Sequence, residues 1–162
     1  MSTYEYKARL RELIEDTCWN GRFSSPSRRP REYPLDDRCA ADFCYDVLPS
    51  GKLFVEDDDP QRALSNLIKY WPWCTRRPKI KLTYLIHIIG DHGESVHLKQ
   101  CNFVAEKMRE DLSGMGLHFE YRQIQIGGGP EWQEPDKWLP RVRAVLADIA
   151  HEGAAEPRPD VR

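Results

Sequence analysis

The residues best equipped for chemistry are a run of acids, Glu56-Asp57-Asp58-Asp59, at the end of a β-rich segment, with another acid, Asp42, in the segment before it. Strand side chains alternate, so Glu56 and Asp58 share a face, about 7 Å apart along the strand. Pro49-Ser50-Gly51 between the two segments has hairpin chemistry. With those residues as the loop, Asp46 stands opposite Phe54, Cys44 opposite Glu56 and Asp42 opposite Asp58, which collects Asp42, Glu56 and Asp58 on one face. A two-residue turn would instead shift the register by one and move Asp42 to the other face of its strand. Carboxylates this close repel one another unless a hard cation lies between them. Mg²⁺ takes one or two carboxylates together with waters and phosphate oxygens, and a metal so held activates water and stabilises a phosphodiester transition state. The same run has a plainer reading: an acidic strand end meets a helix N-terminus, where Asp59 caps and its neighbours favour the helix dipole.

These residues need elements to position them. Tyr6, Leu10, Leu13 and Ile14 fall on one helical face, predicting a helix over Tyr4 to Cys18. Residues 19–37, rich in Arg, Pro and Ser, read as one long irregular loop. Ala41 to Leu48 and Lys52 to Asp57 form the hairpin. A helix opened by Asp59 and Pro60 carries Leu64, Leu67, Ile68 and Trp71 on one face and stops near Pro72. Lys79 to Gly90 is a nearly continuous apolar strand of the kind buried on both faces. Ser95 opens a helix ended by Gly114 and Gly116, Leu117 to Ile126 alternates as a strand, and Trp138 to Ile149 marks a last helix. The order predicts one domain over residues 1–151, a three-layer α/β/α sandwich on a mixed sheet, with a hairpin followed by βαβα units and a tail over 152–162.

At Asp42, Glu56 and the elements around them the chain resembles the PD-(D/E)XK, or restriction-endonuclease-like, phosphodiesterase superfamily over about Tyr4 to Ile89. The resemblance implies a metal-dependent nuclease or a degenerate relative, with Asp42 and Glu56 as its two acids holding Mg²⁺ or Mn²⁺. The family's lysine, two residues beyond the glutamate, falls on Asp58, giving an E-x-D variant in which Asp58 is either a further metal ligand or the mark of a lost activity. Lys69 on the following helix is the available replacement for that lysine, although a helical wheel puts it about 150° from the apolar face. Gln61 lies closer to that face. Asn66 and Tyr70 match the spacing of the family's Gln-x3-Tyr with a different first residue. Glu12 or Glu15 of the first helix could supply another acid, and Arg31 to Leu35 could supply a first meander strand.

Arg28, Arg29 and Arg31 in the loop, and Arg76, Arg77, Lys79 and Lys81 before the buried strand, could contact phosphates of DNA or RNA. Tyr33, Tyr70, Trp71 and Trp73 could stack on bases, with Trp71 better placed for the core. His92 and Ser95 lie where open α/β sheets bind ligands and would serve a flavodoxin-like small-molecule enzyme. They have no acid partner in sequence for a triad. Gly127-Gly128-Gly129 lacks the lysine of a phosphate-binding loop, and His87 reads as a buried, hydrogen-bonded core residue.

The 24 basic and 26 acidic residues of this 162-residue chain give a net charge of −2, so any polyanion binding is local. No apolar run approaches the ~20 residues of a membrane span, and no leader is read at the N-terminus, which predicts a cytoplasmic protein with no membrane partner. The five cysteines show no C-x-x-C spacing and read as reduced thiols. A nuclease of this size would grip a duplex as a homodimer or as a subunit of a larger assembly. The other reading is a catalytically inactive domain of the same fold that binds a protein or nucleic-acid partner.

Overall fold

The computed structural model describes residues 3–18, 33–47, 50–91, 96–127 and 134–152. Helix α1 (Thr3–Cys18) is followed by the short strands β1 (Tyr33–Pro34) and β2 (Ala40–Ala41), which pair with each other and, among the described residues, with no other strand. The main sheet then begins with β3 (Phe43–Val47) and β4 (Gly51–Asp58), and α2 (Pro60–Ile68) and α3 (Tyr70–Thr75) lead to β5 (Leu82–Asp91). Helix α4 (Val96–Gly114), β6 (His118–Gly127) and α5 (Pro135–Glu152) complete the fold. The sheet order is β3-β4-β5-β6, antiparallel between β3 and β4 and parallel beyond, as crossover helices require.

Alternation along the strands sorts two cores. Leu53 and Val55 of β4 with Ile86 and Ile88 of β5 face α1 and α5, where Trp138, Val142, Leu146 and Ile149 pack. Phe54 of β4 with Leu85 and Ile89 of β5 face α2, α3 and α4, where Leu67, Tyr70, Cys101 and Met108 pack. The architecture is therefore a three-layer α/β/α sandwich on a mixed four-stranded sheet, as the element order predicts. Among the described residues no helix is long and apolar enough to cross a membrane.

Local chemistry sets the element ends. Asp59 accepts from the amides of Gln61 and Arg62, so it caps α2 with Pro60 in the first turn. Gly116 takes φ +71° after α4, and the Leu117 amide returns to Leu112 O, a C-terminal closure that needs a residue without a Cβ.

Several boundaries differ from the sequence expectation. Val47 pairs with Gly51, Asp46 with Lys52 and Cys44 with Phe54, a register two residues away from the expected one; a two-residue shift keeps every side chain on its face. The predicted strand Ala41 to Leu48 is interrupted at Asp42, so β2 and β3 belong to different ladders. Within the predicted loop, residues 33–37 are ordered by β1 and by Asp36, whose carboxylate accepts from the amides of Arg38 and Cys39. The helix from Pro60 does not stop at Pro72: it breaks at Lys69 and restarts, and Pro72 sits in the first turn of α3, where its missing N–H costs nothing. The remainder of the loop, Arg28, Arg29 and Arg31 included, and the tail from residue 153 lie outside the described residues, as do His92, Ser95, Gly128 and Gly129.

Candidate functional site

Among the described residues Glu56, Thr83 and His87 are polar residues buried as a whole. All three point to the α2–α4 face of the sheet. Glu56 of β4 lies beside His87 of β5 in the parallel register, so the two stand next to each other in the middle of a hydrophobic layer. A carboxylate there is costly unless it is partnered. Two partners come from the junction between α2 and α3: the Lys69 ammonium lies 2.7 Å from Glu56 Oε1, and the Tyr70 hydroxyl donates to the same oxygen.

Lys69 belongs to neither helix. It is the C-cap of α2 and the N-cap of α3, and its side chain is 11% exposed. The ammonium also donates to Ala40 O at 2.6 Å and lies 3.4 Å from Asn66 Oδ1. The helical wheel misleads for Lys69 because it is centred on Leu64, Leu67, Ile68 and Trp71, whereas the buried residues are Ala63, Leu67, Tyr70, Trp73 and Cys74 and Ile68 is exposed.

Asp42 sits at the break between β2 and β3, with its side chain 12% exposed. Lys7 of α1 pairs with its Oδ1 at 2.6 Å, and the Asp57 amide donates to its Oδ2 at 3.0 Å. Asp58 is satisfied differently. The Asn66 amide donates to Oδ1, while His87 Nε2 lies 2.6 Å from Oδ2. An ionised carboxylate only accepts, so Nε2 carries a proton and Nδ1 faces the Tyr121 hydroxyl, 3.1 Å away. His87 is fully buried and hydrogen-bonded, as its place in an apolar strand predicts.

Burial dominates the electrostatics. The Glu56 carboxyl is pushed up to about 7, first by desolvation and further by the charge of Asp42, while Lys69 and Tyr70 pull it down. Tyr70 is held well above its ordinary value by burial and by the Glu56 charge. Burial also pushes the thiols of Cys44 to about 12 and of Cys74 and Cys101 to about 11, so none is a nucleophile near neutral pH. Cys39, Cys44, Cys74 and Cys101 are free thiols.

The fit to a divalent cation is narrower than the sequence implies. Both oxygens of Asp58 are committed to Asn66 and His87, and among the described residues no group of three His, Cys, Asp or Glu side chains is arranged to hold a metal. Asp42 and Glu56 remain as neighbouring carboxylates, Asp42 with both oxygens engaged by Lys7 and the Asp57 amide and Glu56 with both its bonds on Oε1, so a cation at Asp42 would have to displace Lys7. Two carboxylates suffice for Mg²⁺, which completes its shell with water and substrate oxygens.

The other candidates scatter. Glu12 and Gln61 are exposed, and the side chain of Glu15 lies outside the described residues. Arg77 is committed to Leu35 O at 2.9 Å and lies 4.9 Å from the Trp73 ring, which is itself 3% exposed. Trp71 is tied to Asp111 through its indole N–H. Arg76, Lys79 and Lys81 are exposed, but they precede β5 at the opposite end of the sheet. Lys81 and His87, the register partner of Glu56, are six positions apart, or about 20 Å of strand. Sequence reasoning overlooked Lys7, whose i+3 and i+7 neighbours Leu10 and Ile14 line the buried side of α1 and place it over the sheet.

No protein-family model matches the chain, and a search of curated proteins gives no match. Among solved structures it is similar to SfsA of Pyrococcus furiosus, determined in complex with Ca²⁺, with a TM-score of 0.37 and 15% sequence identity. That match covers 80% of this chain, which spans 60% of the SfsA chain.

Proposed function

We propose that the protein is a metal-dependent phosphodiesterase of the nuclease type, with its site at Asp42, Glu56 and Lys69. The observation that carries this reading is the Lys69 ammonium 2.7 Å from the buried Glu56 carboxylate. The resemblance at Asp42 and Glu56 requires a lysine near the second acid and finds Asp58 in its place; a lysine delivered from the helix junction supplies the missing cation. In this reading Asp42 and Glu56 hold Mg²⁺ or Mn²⁺, which when bound supplies an acidic, polarised water and charge for the phosphodiester oxygens. Lys69 orients the attacking water and offers positive charge to a nearby phosphate oxygen. Lys7, paired with Asp42 and 38% exposed, offers a second cation at the outer rim. Asp58 is no longer a ligand but a structural acceptor for Asn66 and His87. Arg76 and Lys79 are contacts for a more distant part of a DNA or RNA chain.

A second reading draws on a different observation. Asp42 and Asp58 each have both oxygens engaged by protein donors, as in a network kept for structure alone. That arrangement favours an inactive domain of the same fold that binds a protein or nucleic-acid partner.

The test compares the wild type with Glu56→Ala and Lys69→Met for cleavage of DNA and RNA in Mg²⁺ and Mn²⁺, alongside Mn²⁺ binding by electron paramagnetic resonance. The expected result is metal-dependent cleavage by the wild type, a loss of about 100-fold or more in each variant, and Mn²⁺ binding lost in Glu56→Ala. Equal cleavage by wild type and Glu56→Ala rejects the assigned site. No cleavage and no Mn²⁺ binding by the wild type favours the second reading.

A further inference from the structure

Strand β6 closes the sheet on one side, pairing with β5 along its whole length, and among the described residues no strand pairs with its outer side. An edge of ten residues is a template for another strand, here covered in the single chain at Phe119, which is fully buried, where Arg109 reaches across to Glu120. The outward-facing backbone groups can be identified. Phe119 O accepts from Arg109 of α4 at 3.4 Å, and Gln125 O accepts from Arg141 of α5 at 2.7 Å. These arginines reach the edge from opposite layers, so the odd-numbered residues turn their N–H and C=O away from β5. Tyr121 and Gln123 have the same parity and lie between the two guarded carbonyls.

The side chains around Tyr121 are self-complementary. Glu120 and Arg122 flank it with opposite charges on the face toward α1 and α5, in register with Tyr84 and Ile86. Glu120 already has Arg109 at 3.7 Å, Arg122 at 3.6 Å and His118 at 3.3 Å, so basic side chains outnumber acids at this spot.

We propose that two copies of this chain pair antiparallel through β6, centred on Tyr121, to make one continuous eight-stranded sheet. In this register Tyr121 faces its own copy as a hydrogen-bonded pair, and Phe119, buried in the single chain, faces Gln123 once Arg109 swings off the edge. Glu120 then falls opposite Arg122 twice, once on each side of the two-fold axis, in the non-hydrogen-bonded pairs where side chains approach most closely. Centring on Arg122 or Glu120 instead sets like charges against each other, which disfavours both of those registers. The pairing is independent of the phosphodiesterase reading.

Sedimentation velocity on the full chain, from about 1 to 200 μM, measures the association. The expected result is a mass rising with concentration toward twice the 18.9 kDa chain. Glu120→Arg or Arg122→Glu alone puts like charges opposite each other at both symmetry-related pairs and weakens association by about tenfold or more. The double exchange, Glu120→Arg with Arg122→Glu, restores it. Gln123→Pro removes an outward donor at an edge position that tolerates proline and leaves a monomer. Circular dichroism establishes that each variant is folded. A wild type that stays monomeric to 200 μM, a dimer indifferent to the single reversals and to Gln123→Pro, or single reversals that the double exchange does not rescue would each overturn the proposal.

Discussion

The two faces of the sheet are made by the same four strands, yet they do different work. The face toward α1 and α5 buries aliphatic and aromatic side chains such as Val55, Ile86, Ile88 and Trp138, and dispersion and dehydration explain it without reference to partners. The face toward α2, α3 and α4 buries Glu56, Thr83 and His87 among equally apolar neighbours, and Asp58 with them at 7% exposure. Each of the acids there is matched by donors from another element: Lys69 and Tyr70 for Glu56, Asn66 and His87 for Asp58. An apolar face tolerates exchange of one hydrocarbon for another. A polar face tolerates no unmatched change, because removing one member leaves a desolvated group behind. The second face gives up such tolerance for position, which is what chemistry needs.

The largest effect should come from the apolar face. Trp138→Ala empties a fully buried site between α5 and the sheet and should cost about 3–5 kcal/mol, read from urea denaturation. The polar face should respond to pH. Glu56 has its native value raised from the ordinary 4.5 to about 7, so between those values the folded protein holds a proton that the unfolded chain has released. Its stabilising contribution is complete below about 4.5 and fades as pH rises through about 7. Glu56→Gln should flatten the fall in stability over that window, a difference on the order of 2–3 kcal/mol between its ends, measured in metal-free protein. A wild type with no such slope would mean that the two faces are energetically alike. The smallest effect belongs to neither face. Lys52 and Asp46 form a cross-strand ion pair at the hairpin end, with side chains 20% and 49% exposed. Lys52→Met should shift stability by less than about 1 kcal/mol, and by less still in high salt.

The apolar face was legible residue by residue, because hydrophobic periods of two and of about 3.6 identify which strand and helix positions go inside. The run from Lys79 to Gly90 announces a buried strand, and β5 occupies Leu82–Asp91. The polar face was legible only in part. Parity puts Glu56 and Asp58 together, and it survives the two-residue register shift because parity is all that a face assignment needs. The lysine beside Glu56 could not be located by a wheel, since the buried face runs through Ala63, Leu67, Tyr70 and Cys74 and not through Ile68 and Trp71, on which the wheel is centred. Nor could Lys7, which reaches Asp42 across 35 residues. Long-range ion pairs have no local period. The Asn66 and Tyr70 pair was visible only as a spacing, and the structure gives each an acid of its own: Asp58 for Asn66, Glu56 for Tyr70.

The Asp42 carboxylate accepts the Asp57 amide at the point where β3 has ended and β4 continues toward its acids. Its side chain does there what a backbone carbonyl of a longer neighbouring strand would have done, splicing the ladder for one more rung. That rung lies between Glu56 and Asp58, so it fixes how the two acids are spaced on opposite sides of it. Truncating Asp42 would therefore strip an amide as well as a carboxylate, and any activity lost in Asp42→Ala mixes the two. Asp42→Asn keeps an acceptor for the amide while discarding the charge, which makes it the substitution that separates the splice from the chemistry.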